Sequence, residues 1–163
     1  EFCTIIEEQT IELEHSLVSL SKWESTWNKP FFSTKEKTYE ETVDYIKCMT
    51  INDNVDPQAY AYLTTNNVNE INDYINASMT ATTFSKEPNK PSREIVTAEL
   101  IYYWMIALSV PMECQYWHIN RLFALIKVCN IKNQPPKKMG RKELMSRNAA
   151  LNASRRQQLN SKG

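Results

Sequence analysis

Residues 97–130 read TAELIYYWMIALSVPMECQYWHINRLFALIKVCN, and the fold turns on them. Thr97 precedes an apolar run in which Leu100, Ile101, Trp104, Met105 and Leu108 recur at three- and four-residue intervals, the spacing of one helical face. Pro111 ends the pattern, because proline has no backbone N–H to donate and its ring clashes with the preceding turn. A second helix is predicted from about Glu113, with Tyr116, Ile119, Phe123 and Ile126 on one stripe and Leu122 and Leu125 widening it. The two helices are expected to form the heart of the core. As a helix the uncharged run 100–112 spans about 20 Å, short of the roughly 30 Å of bilayer hydrocarbon, so no membrane span is predicted.

Upstream, further helices announce themselves by their caps. Leu17, Leu20, Trp23 and Trp27 recur at helical spacing until Pro30. Thr38 with Glu41 reads as a capping box opening a helix whose Val43, Ile46 and Met49 or Thr50 face inward. Asp56-Pro57 is an N-cap followed by proline at the first helical position, leading to Tyr60 and Leu63. Asn67 with Glu70 predicts a cap before Ile71, Tyr74 and Ile75. Residues 2–15 alternate in the manner of strands, Ile11 and Leu13 against Glu12 and Glu14, which predicts a hairpin or sheet edge. A second small hairpin is allowed by the β-prone segments 80–84 and 93–96, and the loop 86–92 between them is expected to be disordered. The expected fold is therefore α+β and mostly α. It has an N-terminal β-hairpin or short strands, a helical bundle completing a compact domain over 1–132, and a basic C-terminal helix or tail over 133–163.

Charge divides the chain at the same place. Residues 1–126 hold nine Lys/Arg and eighteen Asp/Glu, whereas residues 127–163 hold ten Lys/Arg and one acid, so a formal net charge of zero conceals an acidic body and a basic tail. Such bipolarity points to a protein that works by holding something else. Lys137, Lys138, Arg141, Lys142, Arg147, Arg155 and Arg156 are the tail's candidate contacts. A basic arm can bind nucleic acid, dock on an acidic protein surface such as a sister subunit's body, or stay solvated. Protein docking is favoured, since no aromatic is interleaved with the cations and no groove-reading motif accompanies them. Leu144 and Leu151 give the tail only a thin apolar stripe.

Little in the sequence suggests catalysis. Two glycines in 163 residues disfavour glycine-rich phosphate loops and nucleophile elbows, which need several closely spaced. Cys3, Cys48, Cys114 and Cys129 form no CxxC pair and read as small, reduced side chains. Cys114 and His118, four apart on the predicted helix, lack a second ligand pair, so no metal or other cofactor is expected. His15 and His118 read as structural histidines, and the acidic pairs Glu7-Glu8 and Glu40-Glu41 as helix-start electrostatics. The aromatics fit a partner surface better. Tyr102, Tyr103 and Trp104 point in three directions, and one helix cannot bury them all. Trp23, Trp27, Tyr103 and Trp117 are the candidate partner-binding residues. The chain begins with Glu rather than Met, so a missing or processed N-terminus is expected, and no secretory signal pattern follows, which favours an intracellular setting.

Several blocks carry a family resemblance: 13–25 (LEHSLVSLSKWES), 44–50 (DYIKCMT), 71–84 (INDYINASMTATTF), 97–106 (TAELIYYWMI), 117–139 (WHINRLFALIKVCNIKNQPPKKM) and 147–160 (RNAALNASRRQQLN). Together they resemble a group of small proteins encoded among the tail genes of long-tailed bacteriophages and prophages. Members of the group look like tail assembly chaperones, which coat the tape measure protein and keep it soluble while the tail tube polymerises. The resemblance implies a non-enzymatic tail-morphogenesis protein in the bacterial host cytoplasm, with a tape measure or other tail protein as partner; the opposed charges of body and tail permit homo-oligomers by head-to-tail contact. It transfers no catalytic residue. A structural virion component, such as a connector or tail-completion subunit, and a nucleic-acid-binding packaging or regulatory protein are the alternatives.

Overall fold

The computed structural model of the chain describes residues 9–84, 94–135 and 140–160. Six α-helices are present among them: α1 (Leu17–Trp27), α2 (Tyr39–Met49), α3 (Thr65–Asn76), α4 (Ala98–Ala107), α5 (Ile119–Asn133) and α6 (Arg141–Leu159). Two 3-10 turns, Pro57–Tyr62 and Met112–Tyr116, join them. The chain divides into a unit over residues 1–132 and a second over residues 133–163.

The helices start where side chains can satisfy their unpaired N–H groups. Ser16 with Ser19 and Thr38 with Glu41 form capping boxes on α1 and α2. For α3 the box is Thr64 with Asn67, three residues before the predicted start, because Asn67 answers the cap instead of being it. Asp56 accepts from the Gln58 N–H at 2.8 Å and opens the first 3-10 turn. Asn28, in the left-handed region at φ 51°, closes α1 ahead of Pro30.

The expected α+β class is corrected: among the described residues the fold is all-helical, with no sheet. The N-terminal tract is not helical from residue 9 to Ser16, but it pairs with no second strand. It makes isolated antiparallel bridges, Leu13 to Thr50 and Ser16 to His118. Its backbone bonds go to the exit of α2 and the entry of α5: Glu14 N to Met49 O at 2.8 Å, Ile51 N to Glu12 O at 3.0 Å, and Ile119 N to His15 O at 2.8 Å. Each partner segment belongs to a helix within a residue or two, so no ladder can grow. The predicted strand residues 2–8 lie outside the described residues, as does the 86–92 loop. No second hairpin forms at 80–84, which carries no regular structure, and Arg93 lies outside the described residues.

In the first unit the core gathers Leu17, Leu20 and Trp23 of α1, Tyr45, Ile46 and Met49 of α2, Ile101 and Met105 of α4, and Ile119, Leu122 and Ile126 of α5. Full burial of each such apolar side chain stabilises by about 1.5–3 kcal/mol. The α5 stripe is Ile119, Leu122 and Ile126; Tyr116 is not on it. The 3-10 turn at 112–116 is wound more tightly than an α-helix, which breaks the phase that the sequence projected back to Glu113. In the second unit α6 buries no side chain.

Candidate functional site

The outward face of α4 is built from its ends. Thr97 caps the helix, accepting from Leu100 N at 3.4 Å, and the Glu24 carboxylate reaches across from α1 to accept from Ala98 N at 2.7 Å. The other oxygen of Glu24 accepts from Phe31 N at 2.6 Å. One buried carboxylate thus ties α1, the turn after it and the positive end of α4 together. At the far end Ser109 takes φ 55° and Val110 N donates to Met105 O at 2.8 Å, turning the chain at Pro111.

Between these anchors α4 is apolar nearly all round, and only one side is covered. Ala98, Ile101 and Met105 have no exposed surface. Tyr103 is 63% and Ile106 69% exposed, and the next turn adds Met112 at 44% and Tyr116 at 56%. Tyr103 and Ile106, three apart, are neighbours on the helix surface. Tyr102 links the helix to that turn by donating to Gln115 Oε1 at 3.0 Å. The charged residues along the same stretch, Glu94, Glu99 and Glu113, are acids; no Lys or Arg occurs from residue 94 to 120. The result is an exposed apolar face on which Glu99 shares the side of Tyr103 and Ile106, with Lys29 lining the same cleft as Glu99.

The sequence candidates fall in different places. Trp23 is 1% exposed, its indole N–H donating to Glu41 O at 2.9 Å. Trp27 is half-buried and donates to Asp44 Oδ2 at 2.9 Å. The two rings, 6.3 Å apart, lie on the seam between α1 and α2. Trp117 is half-buried with the Arg121 guanidinium 4.1 Å from its ring centroid. Tyr103 alone of the four stands on the outward α4 face. Of the tail cations, Arg141, Lys142, Arg147, Arg155 and Arg156 are exposed on α6, and Lys137 and Lys138 lie outside the described residues.

Sequence reasoning missed Ile106, Met112 and Tyr116 as surface residues. A signal was present for Ile106, since Glu99, Tyr103, Ile106 and Ala107 repeat at helical intervals opposite Ile101 and Met105. For Glu24 there was none, because its partners lie 7 and 74 residues away.

A second cluster is closed to solvent. His15 and His118 are 2% and 6% exposed, with ring centroids 5.0 Å apart. His15 Nδ1 shares a hydrogen bond with the Tyr45 hydroxyl, and its backbone N–H donates to the Tyr74 hydroxyl at 3.2 Å. His118 Nε2 donates to Tyr74 O at 3.0 Å, while its Nδ1 accepts from Asn120 N at 3.3 Å, which fixes the tautomer. Burial, and secondarily His118, pushes the His15 imidazole down to about 4; burial likewise raises the Tyr45 phenol. The cluster clasps the N-terminal tract to α2, α3 and α5 and leaves no opening for a substrate. Cys114 and His118 share no helix face, since Cys114 belongs to the 3-10 turn and His118 precedes α5. Among the described residues no three His, Cys, Asp or Glu side chains group as metal ligands. Burial pushes the Cys48 thiol up to about 11, away from thiolate chemistry.

Among the described residues the fold is all-helical, and α4 presents an exposed apolar side. No protein family model, curated protein or solved structure matches the chain. Among the described residues no helix is long and apolar enough to cross a membrane.

Proposed function

We propose that the chain is a non-enzymatic assembly factor that binds another protein through the α4 face, and specifically a tail assembly chaperone that shields a tape measure protein. The observation that carries the reading is the exposure of Tyr103 and Ile106 on a helix whose opposite side is core. A helix apolar on all sides is normally buried all round; leaving one side bare marks a place that another protein covers. Glu99 on the same side adds register to such a contact, and the apolar centre supplies its affinity. The sequence resemblance to tail-cluster proteins names the partner class, and the closed histidine cluster suits a scaffold better than a catalyst.

The test is co-expression with a long helical tape measure protein encoded beside it. The long protein is expected to stay soluble with the wild-type chain and to precipitate with Ile106→Asp, whose exposed position leaves the core intact. Equal solubility with and without the chain would remove the reading. Stoichiometric copies in purified particles would favour the structural-component alternative instead.

A further inference from the structure

The apolar residues of α6 are distributed in a way that its weak overall amphipathicity conceals. At about 100° per residue, Leu144, Leu151 and Leu159 fall with Arg141, Arg155 and Arg156 inside about 140° of the helix circumference. Glu143, Ala150 and Ser154 lie on the opposite side. The three leucines are 46%, 46% and 76% exposed. Cations placed among leucines do not suit a groove of phosphates, where the apolar side chains gain nothing. They suit an apolar surface edged with carboxylates.

The α4 face, with Glu99 one turn from Tyr103, offers such a surface. We propose that α6 of one copy docks on the α4 face of a second copy, so that molecules associate head to tail. The charges agree, since residues 127–163 carry ten Lys/Arg against one acid and residues 1–126 twice as many acids as bases. The spacing agrees as well. If Leu151 packs on Tyr103 in an antiparallel crossing, Arg155 four residues onward meets Glu99 four residues back, each interval spanning about 6 Å. A contact of this kind uses two different surfaces and leaves one of each free at the ends of every open oligomer. The proposal rests on reading the α4 face as protein-binding, and it names what covers that face when no client does.

Light scattering on the full-length chain and two full-length variants tests it. Ile106→Asp spoils the face and keeps α6; Leu151→Asp spoils α6 and keeps the face. Wild type is expected to associate at about 100 µM or below, and each variant alone to bind itself about tenfold or more weakly. Mixed in equal amounts, the two variants are expected to form dimers and stop there, because each supplies the surface the other lacks. Arg155→Glu, restored by Glu99→Lys in the mixed partner, repeats the test by charge. A monomeric wild type, a Leu151→Asp chain that still associates, or a mixture that stays monomeric overturns the proposal. Client solubility in co-expression is read separately, so a wild-type chain that stays monomeric and still protects its client sinks this inference and not the proposed function.

Discussion

Burial drives the His15 imidazole down to about 4 from the ordinary 6.5, and the neighbouring His118 ring adds to the shift. A base whose folded-state pKa is depressed binds fewer protons folded than unfolded. Its contribution to stability is therefore complete above pH 6.5 and is lost as pH falls toward 4. The loss from His15 is on the order of 2–3 kcal/mol. Glu41, held low first by its hydrogen bond from Lys29 and then by Thr38, loses its contribution only below the usual carboxylate range. Glu14, raised by burial, works in the opposite direction in the region just above 4.5. Urea midpoints are expected to fall between pH 6.5 and 4.5, with the fall largely absent in His15→Gln. A flat midpoint over that window would show that the imidazole is not buried neutral. Glu24 gives a second prediction at this scale. Glu24→Ala leaves Phe31 N and Ala98 N without their acceptor, and is expected to cost about 3 kcal/mol in urea unfolding, with Glu24→Gln costing less because one carbonyl oxygen still accepts.

The caps are expected to matter more to stability than the exposed α4 face. Thr38→Ala and Ser16→Ala each remove a capping-box acceptor and are expected to cost about 1 kcal/mol by urea unfolding. Tyr103→Ala, on an exposed side, is expected to stay within about 0.5 kcal/mol. If Tyr103→Ala instead destabilised like a core truncation, its side chain would not be the free surface described. Local chemistry is also what made the helices legible. Thr38 with Glu41 and Asp56-Pro57 mark their starts by groups that answer within three residues. Where the answer lies far away the sequence is silent. Glu24 looks like one more acid on a polar face until Ala98 comes to it. The extended tract before Ser16 kept the two-residue period of a strand, but a period does not say whether a partner strand exists. Helix α4 was readable as a helix from its spacing, but Glu99 was the one polar mark of its outer side, since apolar residues nearly all round leave the choice of inner face to the neighbours. Those neighbours chose Ile101 and Met105.

Across the whole molecule the two units differ in what holds them. The first unit encloses a core of fully buried side chains from α1, α2, α4 and α5, whereas α6 has nineteen residues and no buried one. A helix of that length without a buried stripe is marginal in water, and Asn148, Asn152, Ser146 and Ser154 lower its intrinsic propensity further. Its formation should therefore depend on what it docks against. Amide hydrogen exchange on the full chain measures this directly. In dilute solution the α6 amides are expected to exchange near the unprotected rate, while those of α1 and α5 exchange about a thousandfold or more slowly, at a rate set by global unfolding. Raising the protein concentration through the association range is expected to slow exchange in α6 and to leave the core amides almost unchanged. High salt should reverse the gain, because the proposed contact pairs Arg155 with Glu99. Protection of α6 that is already full in dilute solution and indifferent to salt would mean that the helix stands on contacts within its own chain, and the coupling between charge, helix formation and assembly would be lost.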